Sequence, residues 1–370
     1  MPRINAQKLT SYLVKNILFT KQGFLNTILK QEMFLKQRKN MRVTIDDIAK
    51  LAGVSKATVS RVINNSPNGV GEETRKRVLQ VVKDTNYERD SYFGSGKART
   101  IALVQPDITN PFFADIAKAI ERTAAENGYM VIISNTDFSA EKEAENISKL
   151  ITQKICGVIL ISSSKEVLPE HMIPGKYGIP IVLLDRKLVN NDCFPGVYSD
   201  TAYAAFRSCE LMIKKGADRI AFISGHSKAF TSADRMNGFM DAYKQYGLDF
   251  EPSLIKEGNY MVESGYNAVM ELVREGTRFT AILAANDLMA LGALKALKEL
   301  SIAVPNDVQL IGFDNIIYTQ LCDPPLSTVQ QPTIEMGKKA VNTLLNLIDG
   351  KKVDFNITLQ PRLVLRDTTR

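Results

Sequence analysis

From Arg99 to the C-terminus, short continuous apolar runs alternate with amphipathic helical stretches, and this alternation limits the fold of the 370-residue chain more than any other feature. IALVQP is followed by FFADIAKAIERTAAENG, and YMVIISNT by a helical pattern from Glu141 to Gln153. GVILIS, IPIVLLD, AFISG, AILAAND and VQLIGFD continue the series. Continuously apolar strands separated by helices imply parallel sheets covered on both faces. The expected fold class is therefore α/β, with doubly wound parallel sheets across residues 101–370. Ligands in such folds lie beyond the carboxyl ends of the strands, so the polar residues that follow each run are the ones to read.

Those residues form a consistent set. Asn110 with Phe112 and Phe113 follows the first run, Asp185 and Arg186 follow IPIVLL, Asn286 follows AILAA and Asp314 follows VQLIGF; Arg235 opens a helix after another run. Any one Asp or Asn after a strand is most simply a helix cap. Repetition at five strand ends weakens that reading. Carboxylates, amides and guanidinium groups gathered with aromatic rings suit a sugar, whose hydroxyls donate and accept while its C–H faces stack on rings.

The N-terminal part follows a different pattern. TIDDIAKLAGVSKATVSRVIN, Thr44 to Asn64, reads as two short helices joined by a tight turn. Thr44 with Asp47 makes a capping-box-like start, Ile45, Ile48, Ala49 and Leu51 share one face, and Gly53 supplies the turn's backbone freedom. Ser55 caps the second helix, which turns Val59, Val62 and Ile63 inward. Lys56, Ala57, Thr58, Ser60, Arg61 and Asn64 remain on its outer face. That face suits a helix laid in the DNA major groove, and equally a solvated helix of an enzyme. A third helix is expected over Glu72–Asp84, with Val78, Leu79, Val81 and Val82 buried.

Charge separates the two parts. Residues 1–40 carry eight basic residues against one acidic, residues 41–100 eleven against seven, and residues 101–370 twenty-eight against thirty-two. Basic charge confined to the front is the asymmetry of a small domain that meets a polyanion beside a larger one that does not. Residues 1–40 have no signal-peptide core, and they are expected to be a basic extension, disordered or belonging to a wrongly assigned start, because Met41 opens directly onto the first organised element. Cys156, Cys193, Cys209 and Cys322 show neither zinc-site spacing nor the density of a disulfide scaffold, which points to a reduced cytoplasmic protein without a metal. No run approaches a membrane span.

At this point a resemblance becomes specific. TIDDIAKLAGVSKATVSRVIN, continued by EETRKRVLQVVKDTNY, resembles the headpiece of the LacI/GalR family of transcriptional regulators, and the likeness extends from Met41 to the C-terminus. It implies a helix-turn-helix domain over 41–90 and a hinge linker over 91–100. It further implies a periplasmic-binding-protein-like core of two lobes, 101–198 with 332–355 and 199–331 with 356–370, closing on a ligand. By position, Lys56, Ala57 and Arg61 would read bases, while Thr44, Ser55, Thr58, Ser60 and Asn64 would contact phosphates. The polar pattern of the core is most like that of a ribose operon repressor: Asn110, Phe112, Phe113, Asp185, Arg186, Arg235, Asn286, Asp314 and Gln331 each hold the residue type of the ribose-binding versions. The resemblance thus implies operator DNA, a homodimer and ribose or a similar pentose as effector, with no cofactor.

The hinge departs from the family. Glu88 to Thr100, ERDSYFGSGKART, is shorter than usual and lacks both Pro-Asn and the leucine that wedges into the minor groove, and Gly94 and Gly96 disfavour a helix. Gly94-Ser95-Gly96-Lys97 is no phosphate loop, because Ala98 stands where Ser or Thr is needed. Three rival readings remain. An enzyme on the same core would need a catalytic constellation, and His171 and His226 sit in none. A periplasmic receptor would need a secretion signal. A catabolite-control-type regulator would take a phosphocarrier protein as corepressor.

Overall fold

The structure, a computed structural model, describes residues 44–63, 70–85, 99–163, 179–189, 191, 193–226 and 230–370. The 1–40 extension, Asn64, His171 and all of the hinge linker but its last two residues lie outside the described residues. The chain divides into two compact units, residues 1–96 and 97–370.

In the smaller unit, α1 spans Ile45–Ala52, α2 Lys56–Ile63 and α3 Glu72–Asp84. The capping box is formed: Asp47 N–H donates to Thr44 Oγ1 at 3.3 Å, and Thr44 N–H donates to Asp47 Oδ2 at 3.0 Å. Gly53 takes φ 63°, and from that left-handed conformation its N–H reaches the Ala49 and Lys50 carbonyls. Ser55 Oγ accepts the Thr58 N–H at 3.2 Å and so starts α2. Ile48, Ala49, Ala52, Val59, Val62, Val78 and Val81 form one core. Leu79 does not join it. It is 48% exposed, because on α3 only the Val78 and Val81 stripe reaches α1 and α2, and Val82 is half-buried at its margin.

The larger unit follows the alternation read from the sequence. Its first sheet holds β1 (Thr100–Gln105), β2 (Met130–Asn135), β3 (Gly157–Leu160), β4 (Ile181–Leu184), β5 (Gly196–Ser199) and β11 (Asn356–Leu359), in the order β2-β1-β3-β4-β5-β11 and parallel throughout. The second holds β6 (Ile220–Ser224), β7 (Ile255–Glu257), β8 (Ala281–Ala284), β9 (Gln309–Asp314), β10 (Ser327–Gln330) and β12 (Arg362–Val364), ordered β7-β6-β8-β9-β10-β12. Only β12 runs antiparallel, against β10. Helices α4 (Pro111–Glu126), α5 (Ala140–Thr152) and α10 (Thr333–Ile348) accompany the first sheet; α6 (Thr201–Lys214), α7 (Phe230–Tyr246), α8 (Val262–Arg274) and α9 (Asp287–Glu299) accompany the second. Both sheets reverse strand order beside their first strand, β1 or β6, and that reversal opens a crevice at the carboxyl ends.

Two sequence expectations are corrected. The last crossing between lobes lies at Gln360–Pro361, not after residue 355, because β11 pairs with β5 and completes the first sheet before β12 joins the second. Its half-exposed, alternating residues carry no continuous apolar run. The run YMVIISNT is also not covered on both faces: β2 is an edge strand, and Met130, Ile132 and Ile133 are 60%, 41% and 41% exposed.

Candidate ligand site and nucleic-acid interface

The carboxyl ends of the two sheets bring the predicted pocket residues into two groups. In the first lobe, Asn110 caps α4 by accepting the Phe112 N–H at 3.1 Å, and Phe112 and Phe113 are buried with rings 5.2 Å apart, edge to face. Asp185 and Arg186 follow β4, both buried, with 3.7 Å between Asp185 Oδ2 and Arg186 Nε, too long for a hydrogen bond. Arg186 Nη1 donates to the Ser162 carbonyl at 3.1 Å.

In the second lobe, Asp314 ends β9, the counterpart of β4 in strand order. Its carboxylate accepts Gln331 Nε2 at 2.7 Å and lies 3.9 Å from Arg235 Nη2. The Arg235 guanidinium covers the Phe313 ring at 4.0 Å and donates to the Ala285 carbonyl. Asn286 is the cap of α9, accepting the Met289 N–H at 3.0 Å, and also donates to the Tyr260 carbonyl at 2.9 Å. The cap reading and the site reading are therefore both true of Asn110 and Asn286.

Three members escaped sequence reasoning. Phe138 from the first lobe and Tyr260 from the second stack with centroids 6.3 Å apart, and Arg186 lies 5.5 and 5.8 Å from those rings and 5.8 Å from Phe113. Gln105, fully buried at the end of β1, points Nε2 at Asn135 Oδ1 over 3.4 Å. Phe138 and Tyr260 share a signal that only coordinates show: like Asp185 and Asp314 they adopt positive φ, at 60°, 68°, 64° and 112°. Non-glycine residues held there are strained, and such strain gathers at ligand sites. His226 is exposed after β6 and joins none of these contacts.

Eight buried side-chain polar atoms among the described residues have no hydrogen-bond partner, and six belong to this crevice: Gln105 Oε1, Asp185 Oδ1, Arg186 Nε, Arg235 Nε, the Tyr260 hydroxyl and Gln331 Oε1. Leaving such a group unpaired costs about 1–3 kcal/mol, so six together mark a place built for something with both donors and acceptors. Two arginines and two aspartates meet here, all four buried. Desolvation raises the Asp185 carboxyl above its ordinary range against the pull of Arg186 and Arg235, and it pushes Asp314 up to about 7 against Arg235 and Gln331.

On the smaller unit, α2 presents Lys56, Ala57 and Arg61 as exposed residues, with Thr58 and Ser60 half-buried beside them. Thr44 and Ser55 spend hydroxyls on local structure: Thr44 Oγ1 donates to Asp47 Oδ2 at 2.7 Å, and Ser55 and Thr58 share a 2.9 Å bond. Lys56 pairs with Asp46 at 2.6 Å, an exposed contact that a phosphate or base can displace at little cost.

Comparison with known proteins agrees with both halves of this picture. Residues 44–90 match the model of the bacterial regulatory proteins, lacI family, and residues 98–363 that of the periplasmic binding proteins and sugar binding domain of LacI family. The chain belongs to the LacI family. Catabolite control protein A of Priestia megaterium is 34% identical to it over 89% of this chain and 100% of that protein. The lac repressor dimer bound to operator and the anti-inducer ONPF superposes with a TM-score of 0.68 at 26% identity, over 89% of this chain and 99% of that one. A periplasmic binding protein/LacI transcriptional regulator from Alkaliphilus metalliredigens QYMF, complexed with D-xylulofuranose, gives 0.65 at 26% identity over 74% and 99%. This LacI-family chain is thus a DNA-binding transcriptional repressor with a sugar-binding domain.

Proposed function

We propose that this repressor is a homodimer controlled by ribose or a similar pentose bound between the lobes of its larger unit, and that the sugar releases it from its operator. The unpaired atoms of the crevice carry the reading: acceptors on Gln105, Asp185 and Gln331, donors on Arg186 and Arg235, and the Tyr260 hydroxyl, beside the faces of Phe112 and Phe113. A pentose offers hydroxyls that donate and accept at once and C–H faces for the rings. A relative of known structure holds a pentose of furanose form, which supports the size class. Asn110, Asn286 and Asp314 complete the set of binding residues.

For DNA, the reading assigns base contacts to Lys56, Ala57 and Arg61 and phosphate contacts to Thr44, Ser55, Thr58, Ser60 and Asn64. One helix-turn-helix reads a half-site, so two copies read an operator. Calorimetric titration with ribose, other pentoses and the hexose allose tests the pocket, with Arg235→Ala as control. Binding of ribose by the parent and not by Arg235→Ala is expected; no heat with any sugar sinks the reading. The similarity to catabolite control protein A favours a second reading, a phosphocarrier protein as corepressor. Tighter operator binding in the presence of such a protein, with no response to sugars, would establish it instead.

A further inference from the structure

Behind the pocket lies a buried carboxylate to which neither the sequence nor the family likeness assigned a part. Glu143, in the first turn of α5, is 2% exposed. Its Oε1 accepts the Ser162 hydroxyl at 2.9 Å and its Oε2 the Ser163 N–H at 2.5 Å. Ser162 in turn offers its carbonyl to Arg186 Nη1 at 3.1 Å. Ser163 shares a 2.5 Å bond with Thr136, whose N–H donates to the Gln105 carbonyl at 2.9 Å. One carboxylate thereby fastens the carboxyl ends of β1, β2 and β3, and through Ser162 it holds the arginine that follows β4.

The Ser163 N–H can only donate, so Oε2 accepts, and with the Ser162 hydroxyl on Oε1 both oxygens are partnered. Burial raises the group above the usual carboxylate range, while the Ser163 and Ser162 bonds and the Arg186 charge oppose that shift. The positive end of α5 favours the anion as well. Glu143 has no unpaired oxygen to offer a ligand, so it acts on the pocket through charge and through the position of Arg186.

We propose that Glu143 sets the charge selectivity of the effector pocket: its carboxylate neutralises Arg186 from behind, so that the pocket accepts a neutral sugar and rejects its phosphate ester. This rests on the pentose reading above. Without Glu143, Arg186 and Arg235 would be opposed only by Asp185 and Asp314, whose carboxyls burial raises above their ordinary range. Two arginines facing two carboxyls that burial discourages from ionising would draw a phosphate.

Calorimetric titration of the full chain with ribose and with ribose 5-phosphate tests this, on the parent, Glu143→Gln and Glu143→Asp. The parent should bind ribose at least tenfold more tightly than the ester. Glu143→Gln, which keeps an acceptor but loses the charge, should hold ribose within a few-fold and bind the ester about tenfold more tightly than the parent does. Glu143→Asp should reject the ester as the parent does, even if the shorter side chain weakens ribose. Equal weakening of both ligands in Glu143→Gln, or an unchanged ratio, would show a purely structural residue and overturn the proposal. The parent's own preference needs no variant: tighter binding of the ester overturns the proposal while leaving a sugar-derived effector in place. Binding of neither ligand overturns the pentose reading and this inference with it.

Discussion

Asp314 ends β9 with its carboxyl buried, bonded to Gln331 and 3.9 Å from Arg235, and desolvation pushes it up to about 7. Asp185 and Arg186 act on it from the first lobe, and its own charge adds to the desolvation that raises the fully buried Asp287 carboxyl. An unfolded aspartate releases its proton near pH 4. Between about pH 4 and pH 7 the folded protein therefore holds a proton that the unfolded chain has lost, so this group's contribution to stability falls as pH rises through that window and is level above it. Asp314→Asn removes the titration. Calorimetric melting of the two proteins should show the Asn variant gaining on the parent between pH 5 and pH 8; a constant difference would show that Asp314 does not titrate in that window. On the smaller unit, Arg61→Ala should relax base preference in operator binding and cost about 1–3 kcal/mol for the operator, since an exposed arginine on α2 can reach a guanine edge. Unchanged preference across a panel of mutated operators would remove it as a base reader. At this scale the strand-end residues were legible because polarity directly after an apolar run is a local pattern. Phe138, Tyr260, Gln105 and Glu143 were not. Glu143 reads as an ordinary first-turn acid, and only the fold brings Ser162 and Ser163 to it.

Helix pairing sets the shape of the second lobe, and it depends on glycine. A methyl on Gly292 of α9 would run into the Val262 carbonyl at the start of α8, and one on Gly265 of α8 into the Met289 carbonyl of α9. The two backbones touch at both ends of this contact, in a densely packed interior that cannot give way. Gly292→Ala gains helix propensity but must push α8 and α9 apart, so it should destabilise the larger unit by about 3 kcal/mol, read as a lower urea midpoint at unchanged slope. A neutral or stabilising effect would mean the helices have room to part. The sequence shows both glycines inside helical patterns, but not which backbone each one meets. Elements themselves were legible wherever burial is two-sided: β3, β4, β8 and β9 are buried along their whole length and stand out as apolar runs. Where burial is one-sided the pattern fades. β11 alternates between half-buried and exposed residues and was given to the wrong lobe, and Leu79 was placed inside on α3 although that helix buries only a narrow stripe.

At the scale of the whole repressor, an effector can shift DNA binding only by as much as its affinity differs between the DNA-binding state and the released state. Moving a population from 99:1 to 1:99 requires about a 10⁴-fold difference, near 5.5 kcal/mol. The crevice can supply energy of that order, because its unpaired atoms come from both lobes: Gln105, Asp185 and Arg186 from the first, Arg235 and Tyr260 from the second, with Gln331 at a crossing between them. A sugar that satisfies all of them favours whichever arrangement of the lobes presents them together, and it binds weakly to any arrangement that splits the set. Arg235→Ala takes away one side of the set while leaving α1, α2 and α3 unaltered. In electrophoretic mobility shifts at constant salt, it should therefore bind operator as the parent does, within a few-fold. Saturating ribose should weaken the parent's operator binding by about 100-fold or more and leave Arg235→Ala unmoved. Tightening of the parent by ribose would make the sugar a corepressor and reverse the proposed direction of control. A ribose response that survives Arg235→Ala in full would place the effector outside this crevice, because no sugar spanning both lobes there could dispense with the guanidinium that lies over Phe313 and beside Asp314.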